Sequence, residues 1–238
     1  MASAIVRGGL DAGVLAAARV VVCEPDEGKR RKFEGWGCRA TDVPERAWDL
    51  ACSTRAMDGD GGEVLLAVKP QSLAGVAAGF GPVLARASGR VVVQSILAGV
   101  PTTRLGAIFP GAGIVRLMPN TPAQIGLSTT ALCLGAGSTL AESDLAERLF
   151  AAIGKVVRIE EGLMDAYTAV VGSGPAYVCY LAEAMTRAAI GLGFEPAMAD
   201  AMVRQTVRGT AGLLETSSDT PAQLRAQVAG KGGASAAG

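Results

Sequence analysis

The sequence of 238 residues contains no histidine. Ser-His and Cys-His nucleophile mechanisms are therefore excluded, and any proton transfer must use a carboxylate, a hydroxyl, a lysine, a thiol or water. None of the five cysteines has C-x-x-C spacing: Cys23, Cys38, Cys52, Cys133 and Cys179. Without histidine to join them, a metal site is not expected. Unpaired thiols are typical of a reducing cytosol, which predicts a cytoplasmic protein.

Long apolar runs and an excess of one charge are also absent. No run reaches the ~20 apolar residues that a membrane-spanning helix needs, and no charged start followed by an apolar segment indicates a secretory signal. The 22 basic and 22 acidic residues cancel, so nucleic-acid or membrane binding is not expected. Only 4% of the residues are aromatic although 50% are hydrophobic, so the core must be mainly aliphatic.

The first part of the chain alternates helical segments with short β-branched runs. Residues 1–18 are expected to form a helix and residues 19–23 a strand that ends in Glu24. A helix, a strand and an acidic residue at the strand's carboxyl end form the second half of a dinucleotide-binding βαβ unit. Because no first strand or glycine-rich phosphate turn precedes this helix, we expect the chain to begin just inside the motif.

Further strands and helices complete a Rossmann-type, doubly wound α/β sheet in this interpretation. The apolar run over 64–68 is typical of a strand buried on both faces of a parallel sheet. Strands are also predicted over 90–96, 114–118, 128–134 and 155–159, and helices over 43–51, 72–87, 142–153 and from residue 102.

The stretch 168–177, T-A-V-V-G-S-G-P-A-Y, separates this α/β pattern from a purely helical one. Gly172 and Gly174 allow conformations or close approaches that a Cβ would forbid, and Pro175 fits a first helical turn. Helices are predicted from Pro196 to about residue 214, and through residue 228 after the capping box T-P-A-Q at 220–223. Because such helices have too small a core to fold alone, dimerisation through them is expected.

Three runs carry a family resemblance: A-V-K-P-Q at 67–71, M-P-N-T-P at 118–122 and G-S-G-P-A-Y at 172–177. They resemble segments of pyrroline-5-carboxylate reductases, which catalyse the last step of proline biosynthesis. The resemblance spans nearly the whole chain. It implies an NAD(P)-binding Rossmann-type domain over 1–160 and an all-helical dimerisation and substrate domain over 161–238. Members of that family extend further at both ends, so a short member is expected.

The resemblance implies that NADPH or NADH lies along the carboxyl edge of the sheet. Glu24 would meet the adenosine ribose, where an acidic side chain favours NADH, although Arg30 and Arg31 follow closely and a merely solvated strand end is the alternative. Arg55 is the nearest match to an asparagine of the family near the adenine. Other implied cofactor contacts are Ala67, Val68, Lys69, Pro70, Ile96, Leu97, Ala98 and Asn120. Leu97 is bulkier than the family's small residues and is expected to narrow the pocket.

The segment 228–235, V-A-G-K-G-G-A-S, resembles the family's substrate loop V-T-S-P-G-G-T-T. Its glycine amides would bind the substrate carboxylate. The implied substrate contacts are Glu161, Gln227, Gly232, Gly233, Ala234 and Ser235, with Ser235 as the candidate proton donor. Gly230 and Lys231 depart from the family pattern, and a disordered tail is the alternative interpretation.

The implied reaction is hydride transfer from NADPH or NADH to C5 of 1-pyrroline-5-carboxylate, which gives L-proline. Two other functions stay open. A reductase of the β-hydroxyacid dehydrogenase type would use a lysine on the long central helix, and residues 177–190 contain none. A non-catalytic relative would keep the dimer fold but bind the cofactor poorly, which the absent phosphate loop and the pair Gly230-Lys231 favour.

Overall fold

The computed structural model describes residues 1–53, 62–87 and 89–228. The chain forms two compact units, Met1–Pro175 and Ala176–Gly238. The division falls within the stretch 168–177, which the sequence pattern predicts to be a domain junction. A domain boundary after residue 160 stays a prediction.

The first unit alternates helices and strands, as the sequence pattern predicts. In chain order its elements are α1 (Ala2–Asp11), β1 (Val21–Cys23), α2 (Glu27–Glu34), β2 (Arg39–Thr41), α3 (Pro44–Ser53), β3 (Glu63–Leu66), α4 (Leu73–Leu84), β4 (Val92–Ser95), α5 (Thr102–Ile108), β5 (Gly113–Met118), β6 (Ser128–Leu134), α6 (Asp144–Ala151), β7 (Gly154–Arg158) and α7 (Met164–Tyr167).

Five strands form one sheet in the order β3-β4-β5-β6-β7. Strands β3, β4 and β5 are parallel, β6 runs antiparallel to β5, and β7 is parallel to β6. Strands β1 and β2 form a separate two-stranded parallel sheet. In a doubly wound sheet of order 3-2-1-4-5-6, the first strand lies between the second and the fourth. No described strand takes that place between β1 and β3, so the strands form two sheets instead of one.

Both faces of the larger sheet carry an apolar core. Val92 and Val115 contribute to one cluster, with Phe150 of α6 and Ile5 of α1 among its members. Their neighbours along the strands point the other way, as Val93 does into a second cluster formed with residues of α4 and α5. The alternation follows from the two-residue period of a strand. Helices therefore cover both faces, which confirms the Rossmann-type fold class.

Two local features differ from the sequence expectations. The helix predicted over 1–18 ends at Asp11, because the chain turns at Gly13, which has φ of +69°. The elements α2 and β2 were not predicted. The signal for α2 was present in the sequence, since Asp26 caps the helix by accepting from the Lys29 amide at 2.8 Å.

The second unit consists of α8 (Gly174–Gly191), which begins at the end of the first unit, α9 (Pro196–Thr216) and α10 (Pro221–Val228). The predicted capping box is confirmed. The Thr220 amide donates to Gln223 Oε1 at 2.8 Å, and the Gln223 amide donates to Thr220 Oγ1 at 3.3 Å. Over the described residues of the chain, we find no helix that is both long and apolar enough to cross a membrane.

The helices of the second unit expose much of their apolar surface. None of the described residues of α8 is buried. The buried residues of α9 and α10 are Ala199, Val203 and Leu224. Large hydrophobic side chains exposed on the second unit are Tyr177, Val178, Tyr180, Leu181, Ile190, Leu192, Phe194, Met198, Met202, Leu213, Leu214 and Val228. Exposed apolar side chains in this number, where they adjoin one another, mark an interaction site in a protein.

We predict that Gly154→Ala strongly destabilises the protein. Gly154 begins β7 with φ of +150°, and an added Cβ would lie 1.9 Å from the backbone oxygen of Ser128. Backbone strain and overpacking together should lower the free energy of unfolding by about 3 kcal/mol, measured by urea denaturation. Gly75→Ala in α4 is the matched control, because no atom lies within 4 Å of its added Cβ. Equal stability of the two variants would contradict the prediction.

Candidate active site

The carboxyl ends of β3, β4 and β5 lie side by side at one edge of the larger sheet. Leu66 pairs with Ser95, and Ser95 pairs with Arg116, so β3 and β4 end level with each other and β5 continues two residues further, to Met118. Cofactors of open α/β sheets bind outside such an edge. The segments that follow these strands contain the predicted cofactor residues at 67–70, 96–98 and 120, which the fold therefore brings to one edge.

The segment after β3 presents accessible chain at this edge. Ala67 is half-buried, while Val68, Lys69 and Pro70 are exposed. After β4, Ala98 is also exposed, and Gly99 has φ of +70° with no atom near the place of a Cβ. Ala67, Ala98 and Gly99 are small residues, which leaves room for a flat ring beside the chain. Contacts of these two segments with the nicotinamide half of a cofactor stay a prediction.

Leu97 does not narrow this surface, so that expectation is wrong. Its side chain is only 1% exposed and packs in the core cluster with Val93 and Leu105. Its amide donates to Ser95 Oγ at 3.3 Å. The Leu97 side chain therefore packs in the core and holds the segment after β4 in place. Ile96 is half-buried and packs against the cluster on the other face.

The side-chain amide of Asn120 makes three hydrogen bonds. Its Oδ1 accepts from the Ser128 hydroxyl and from the Thr129 amide, both at 3.1 Å. Its Nδ2 donates to the backbone oxygen of Val171 at 3.1 Å, and the residue is only 9% exposed. An amide group has two N–H donors, so one N–H is left for a further acceptor. A contact of Asn120 with the cofactor stays a prediction.

The segment that Asn120 contacts is an unusual helical turn. Helix α7 continues through a π-helical turn, Thr168–Gly172, before α8 begins. Among the described glycines, neither Gly172 nor Gly174 has positive φ. A Cβ on Gly172 would instead lie 3.3 Å from the Met118 side chain. Close approach to the end of the Met118 side chain therefore favours a small residue at 172. Single π-helical turns are frequent at functional sites.

A buried charge lies beside these segments. Arg116 Nη1 donates to Glu161 Oε1 at 2.9 Å. Glu161 also accepts from the Thr102 amide at 2.7 Å and from the Thr102 hydroxyl at 2.5 Å. Burial opposes ionisation of Glu161, but these hydrogen bonds and the charge of Arg116 lower its pKa below the ordinary value of 4.5.

Thr102 and Arg116 were not among the residues expected at the site. The sequence does contain a sign of Arg116, since an arginine inside the apolar strand I-V-R-L-M would be buried, and a buried charge requires a partner. Nothing in the sequence pairs it with Glu161, which is far along the chain. The role of Glu161 as a substrate contact stays a prediction.

Two further ionisable groups near the same edge are protonated at neutral pH. Burial raises the pKa of Tyr167 to about 12, and its hydroxyl donates to the backbone oxygen of Thr129 at 2.7 Å. Burial also raises the pKa of Cys133 to about 11. Both groups therefore keep their protons near neutral pH.

Glu24 lies directly after β1, the strand end where a ribose is expected. Its Oε1 accepts from the Asp26 amide at 3.1 Å and lies 3.7 Å from Lys29 Nζ. Arg30 Nη1 donates to the backbone oxygens of Glu24 and Pro25 at 2.8 and 2.7 Å. Arg31 pairs with Glu27 at 2.6 Å. The two arginines that follow Glu24 are thus engaged within their own loop and helix.

The remaining predicted site residues lie outside the described part of the first unit. Gln227 lies in the second unit, where it donates to Asp219 Oδ2 at 2.7 Å. Arg55, Gly232, Gly233, Ala234 and Ser235 lie outside the described residues. Their roles in cofactor binding, substrate binding and proton donation stay predictions.

An open cleft of about 410 Å³ runs along α5 and is also lined by Arg90 and Gly137. The Arg90 guanidinium already donates to Glu142 at 2.5 Å and to the Gly137 carbonyl at 2.7 Å. None of the predicted site residues lines this cleft. The carboxyl edge of the sheet is therefore the better candidate site.

Comparison with known proteins identifies relatives along the whole chain. Residues 161–238 match a family model described as pyrroline-5-carboxylate reductase dimerisation. A pyrroline-5-carboxylate reductase from Synechocystis is 43% identical over 178 residues, which are 74% of this chain and 64% of that relative, so the match spans less than two thirds of it. The enzyme of the same name from Haemophilus influenzae is 35% identical over 100% of this chain and 83% of its own length.

Solved structures agree with these relatives. A pyrroline-5-carboxylate reductase from Coxiella burnetii has a TM-score of 0.82 and 28% identity, covering 99% of this chain and 84% of that one. A Plasmodium falciparum pyrroline carboxylate reductase with NADP bound has a TM-score of 0.81, covering 99% of this chain and 82% of that one. At 24% identity, this second likeness shows the fold alone.

We predict that Glu161 stabilises the protein in a pH-dependent way. A carboxyl whose pKa is lowered by folding contributes its full stabilisation above its unfolded value, near 4.5, and loses it as the pH falls through the lower folded value. Urea denaturation of the protein and of Glu161→Gln at several pH values gives the difference in free energy of unfolding. This difference should shrink as the pH falls below that range. A difference that stays constant with pH would contradict the prediction.

Proposed function

The chain belongs to the pyrroline-5-carboxylate reductase family, and on this premise we propose that it reduces 1-pyrroline-5-carboxylate to L-proline with NADH or NADPH. The predicted family and fold class are confirmed. The relatives are named pyrroline-5-carboxylate reductases, which supports the proposed reaction and the proposed nicotinamide cofactor, and the alternative of a non-catalytic relative is not favoured.

One contact carries this proposal further than the resemblance alone. The Asn120 amide donates to the Val171 carbonyl at 3.1 Å, which joins the M-P-N-T-P run to the residues just before G-S-G-P. Two separate signatures are thereby held together at the carboxyl edge. Cofactors bind outside this edge in such folds, so the position of these two runs supports the proposed site.

The chain's own residues bind and orient the reactants in this proposal. A bound nicotinamide supplies the hydride. Residues 67–70 and the exposed part of the turn, Ala98 and Gly99, would provide the surface against which a nicotinamide ring lies. Orientation of two reactants in one site is worth a large part of a reaction barrier. Next to this surface, the Asn120 amide holds the π-helical turn through its hydrogen bond to Val171. Its other two hydrogen bonds hold it to β6.

The proton needed at the imine nitrogen has few protein sources. The chain has no histidine. The Tyr167 hydroxyl makes a hydrogen bond to a backbone carbonyl, and the lowered pKa of Glu161 keeps that carboxyl ionised. Ser235 remains the proposed donor, and the glycine amides at 232 and 233 remain the proposed site for the substrate carboxylate. The resemblance of the segment 228–235 to the family's substrate loop supports these roles.

We further infer that the second unit pairs with a second copy of the chain to form a dimer in the cytoplasm. The match of residues 161–238 to a dimerisation family supports self-association. The exposed apolar side chains of α8 and α9 supply surface for it, and Gly209 and Gly212 of α9 leave open space around their missing Cβ atoms. Unpaired cysteines are consistent with a cytoplasmic location, which cell fractionation would test.

We predict turnover of 1-pyrroline-5-carboxylate with a preference for NADH over NADPH. The Glu24 carboxylate accepts from a ribose 2′-hydroxyl and repels a 2′-phosphate. Glu24→Gln should reduce the preference, measured as the ratio of the two kcat/KM values, by about tenfold. Glu34→Gln, at the other end of α2, is the matched control and should leave the ratio unchanged, because it alters neither Glu24 nor the Glu27–Arg31 ion pair. Absence of turnover with either cofactor would contradict the proposed function, and a preference for NADPH would contradict the role of Glu24.

We predict that the protein sediments as a dimer, with twice the chain mass of 24.0 kDa. Leu181→Asp places a charge in the exposed apolar stripe of α8 and should shift the mass toward that of one chain, because desolvating an unpaired charge is costly. Glu183→Gln, which lies elsewhere around the same helix, should leave the mass unchanged. Analytical ultracentrifugation measures the outcome. A monomeric unmodified protein would overturn the proposed dimer.

A further inference from the structure

The turn 96–101 between β4 and α5 is closed by a partner from a distant part of the chain. The first amides of a helix need acceptors from outside the helix, and Pro101, which precedes α5, has no polar side chain. The carboxylate of Glu161 takes this place. It accepts from the Thr102 amide at 2.7 Å and from the Thr102 hydroxyl at 2.5 Å.

Glu161 is in turn held by a buried cation. Arg116 Nη1 donates to Glu161 Oε1 at 2.9 Å, and Nη2 lies 3.6 Å from Asp165 Oδ1. The Arg116 side chain is only 6% exposed. Hydrogen bonds between ionised groups are about twice as strong as neutral ones, and a buried charge that loses its partner is strongly unfavourable. The position of Glu161 is therefore closely determined.

Both ends of the turn are held by the paired residues Ser95 of β4 and Arg116 of β5. Arg116 pairs across the strands with Ser95, and Ser95 Oγ accepts from the Leu97 amide at the start of the turn. At the far end, Thr102 is tied to Arg116 through Glu161. Between these anchors, Ala98 and Gly99 are exposed. The path of the exposed part is thus set by its two ends.

The occupancy of Glu161 favours a positioning role over direct binding of substrate. Its two oxygens accept three hydrogen bonds from within the chain. A carboxylate offers about four lone-pair sites. Most of its capacity is therefore used by Thr102 and Arg116.

We propose that Thr102, Glu161 and Arg116 are positioning residues that hold the turn 96–101 in the geometry that binds the nicotinamide half of the cofactor. This inference rests on the proposed function. It assigns no contact between these three residues and the cofactor. They act through the backbone of the turn.

Isothermal titration calorimetry with two ligands separates this role from a general structural one. NADH carries the nicotinamide, and ADP-ribose lacks it. If NADPH is the preferred cofactor, the pair is NADPH and ADP-ribose 2′-phosphate. Thr102→Val removes the hydroxyl and keeps the shape, and should weaken binding of the dinucleotide by about tenfold with ADP-ribose affinity unchanged. Thr102→Ser retains the hydroxyl and should bind both ligands as the unmodified protein does.

Any other result of the titrations contradicts either the positioning role or the proposed function. Equal weakening of both ligands in Thr102→Val, or no weakening of either, overturns the positioning role and leaves the proposed function intact. Failure of the unmodified protein to bind either ligand overturns the proposed function and the positioning role with it. Should Thr102→Val not fold, Glu161→Gln, which keeps the side-chain shape but removes the charge, is titrated with the same two ligands and judged by the same outcomes.

Discussion

A single buried charge sets much of the arrangement at the carboxyl edge of the sheet. Arg116 lies within an apolar strand, where an unpaired cation would be strongly unfavourable. Its ion pair with Glu161 brings the chain after β7 against the start of α5. The same carboxylate supplies the acceptors that the first turn of α5 needs. The electrostatic requirement of one side chain thereby connects three segments that are distant in sequence.

A second polar group extends this arrangement to the helical stretch that leads out of the first unit. Asn120 joins β6, through Ser128 and Thr129, to the π-helical turn at Val171. Gly172 allows that turn to approach Met118. The family signatures are thus largely packing and hydrogen-bonding requirements, since their conspicuous residues hold segments in place at the edge where the cofactor is proposed to bind.

The sequence pattern predicted element types better than element ends. The apolar strand runs identified β3 to β7. The signal was most continuous for β4, β5 and β6, because these strands are buried on both faces. Helix α1 was expected to be longer, since its alanine-rich continuation suits a helix and the turn at Gly13 depends on the fold around it. Element α2 was missed because its charged residues carry little periodicity, although Asp26 marks its start, and β2 was missed because it has only three residues.

The sequence by itself determined the family, the α/β class and the absence of histidine chemistry, because each depends on residue identity or short-range pattern. Only the tertiary structure decided which side chains meet. Leu97 was expected in the pocket and lies in the core, and Glu161 pairs with Arg116 and Thr102 across long stretches of chain. Such contacts are set by strand register and helix packing, which a periodic pattern does not encode. They determine the geometry of the candidate site.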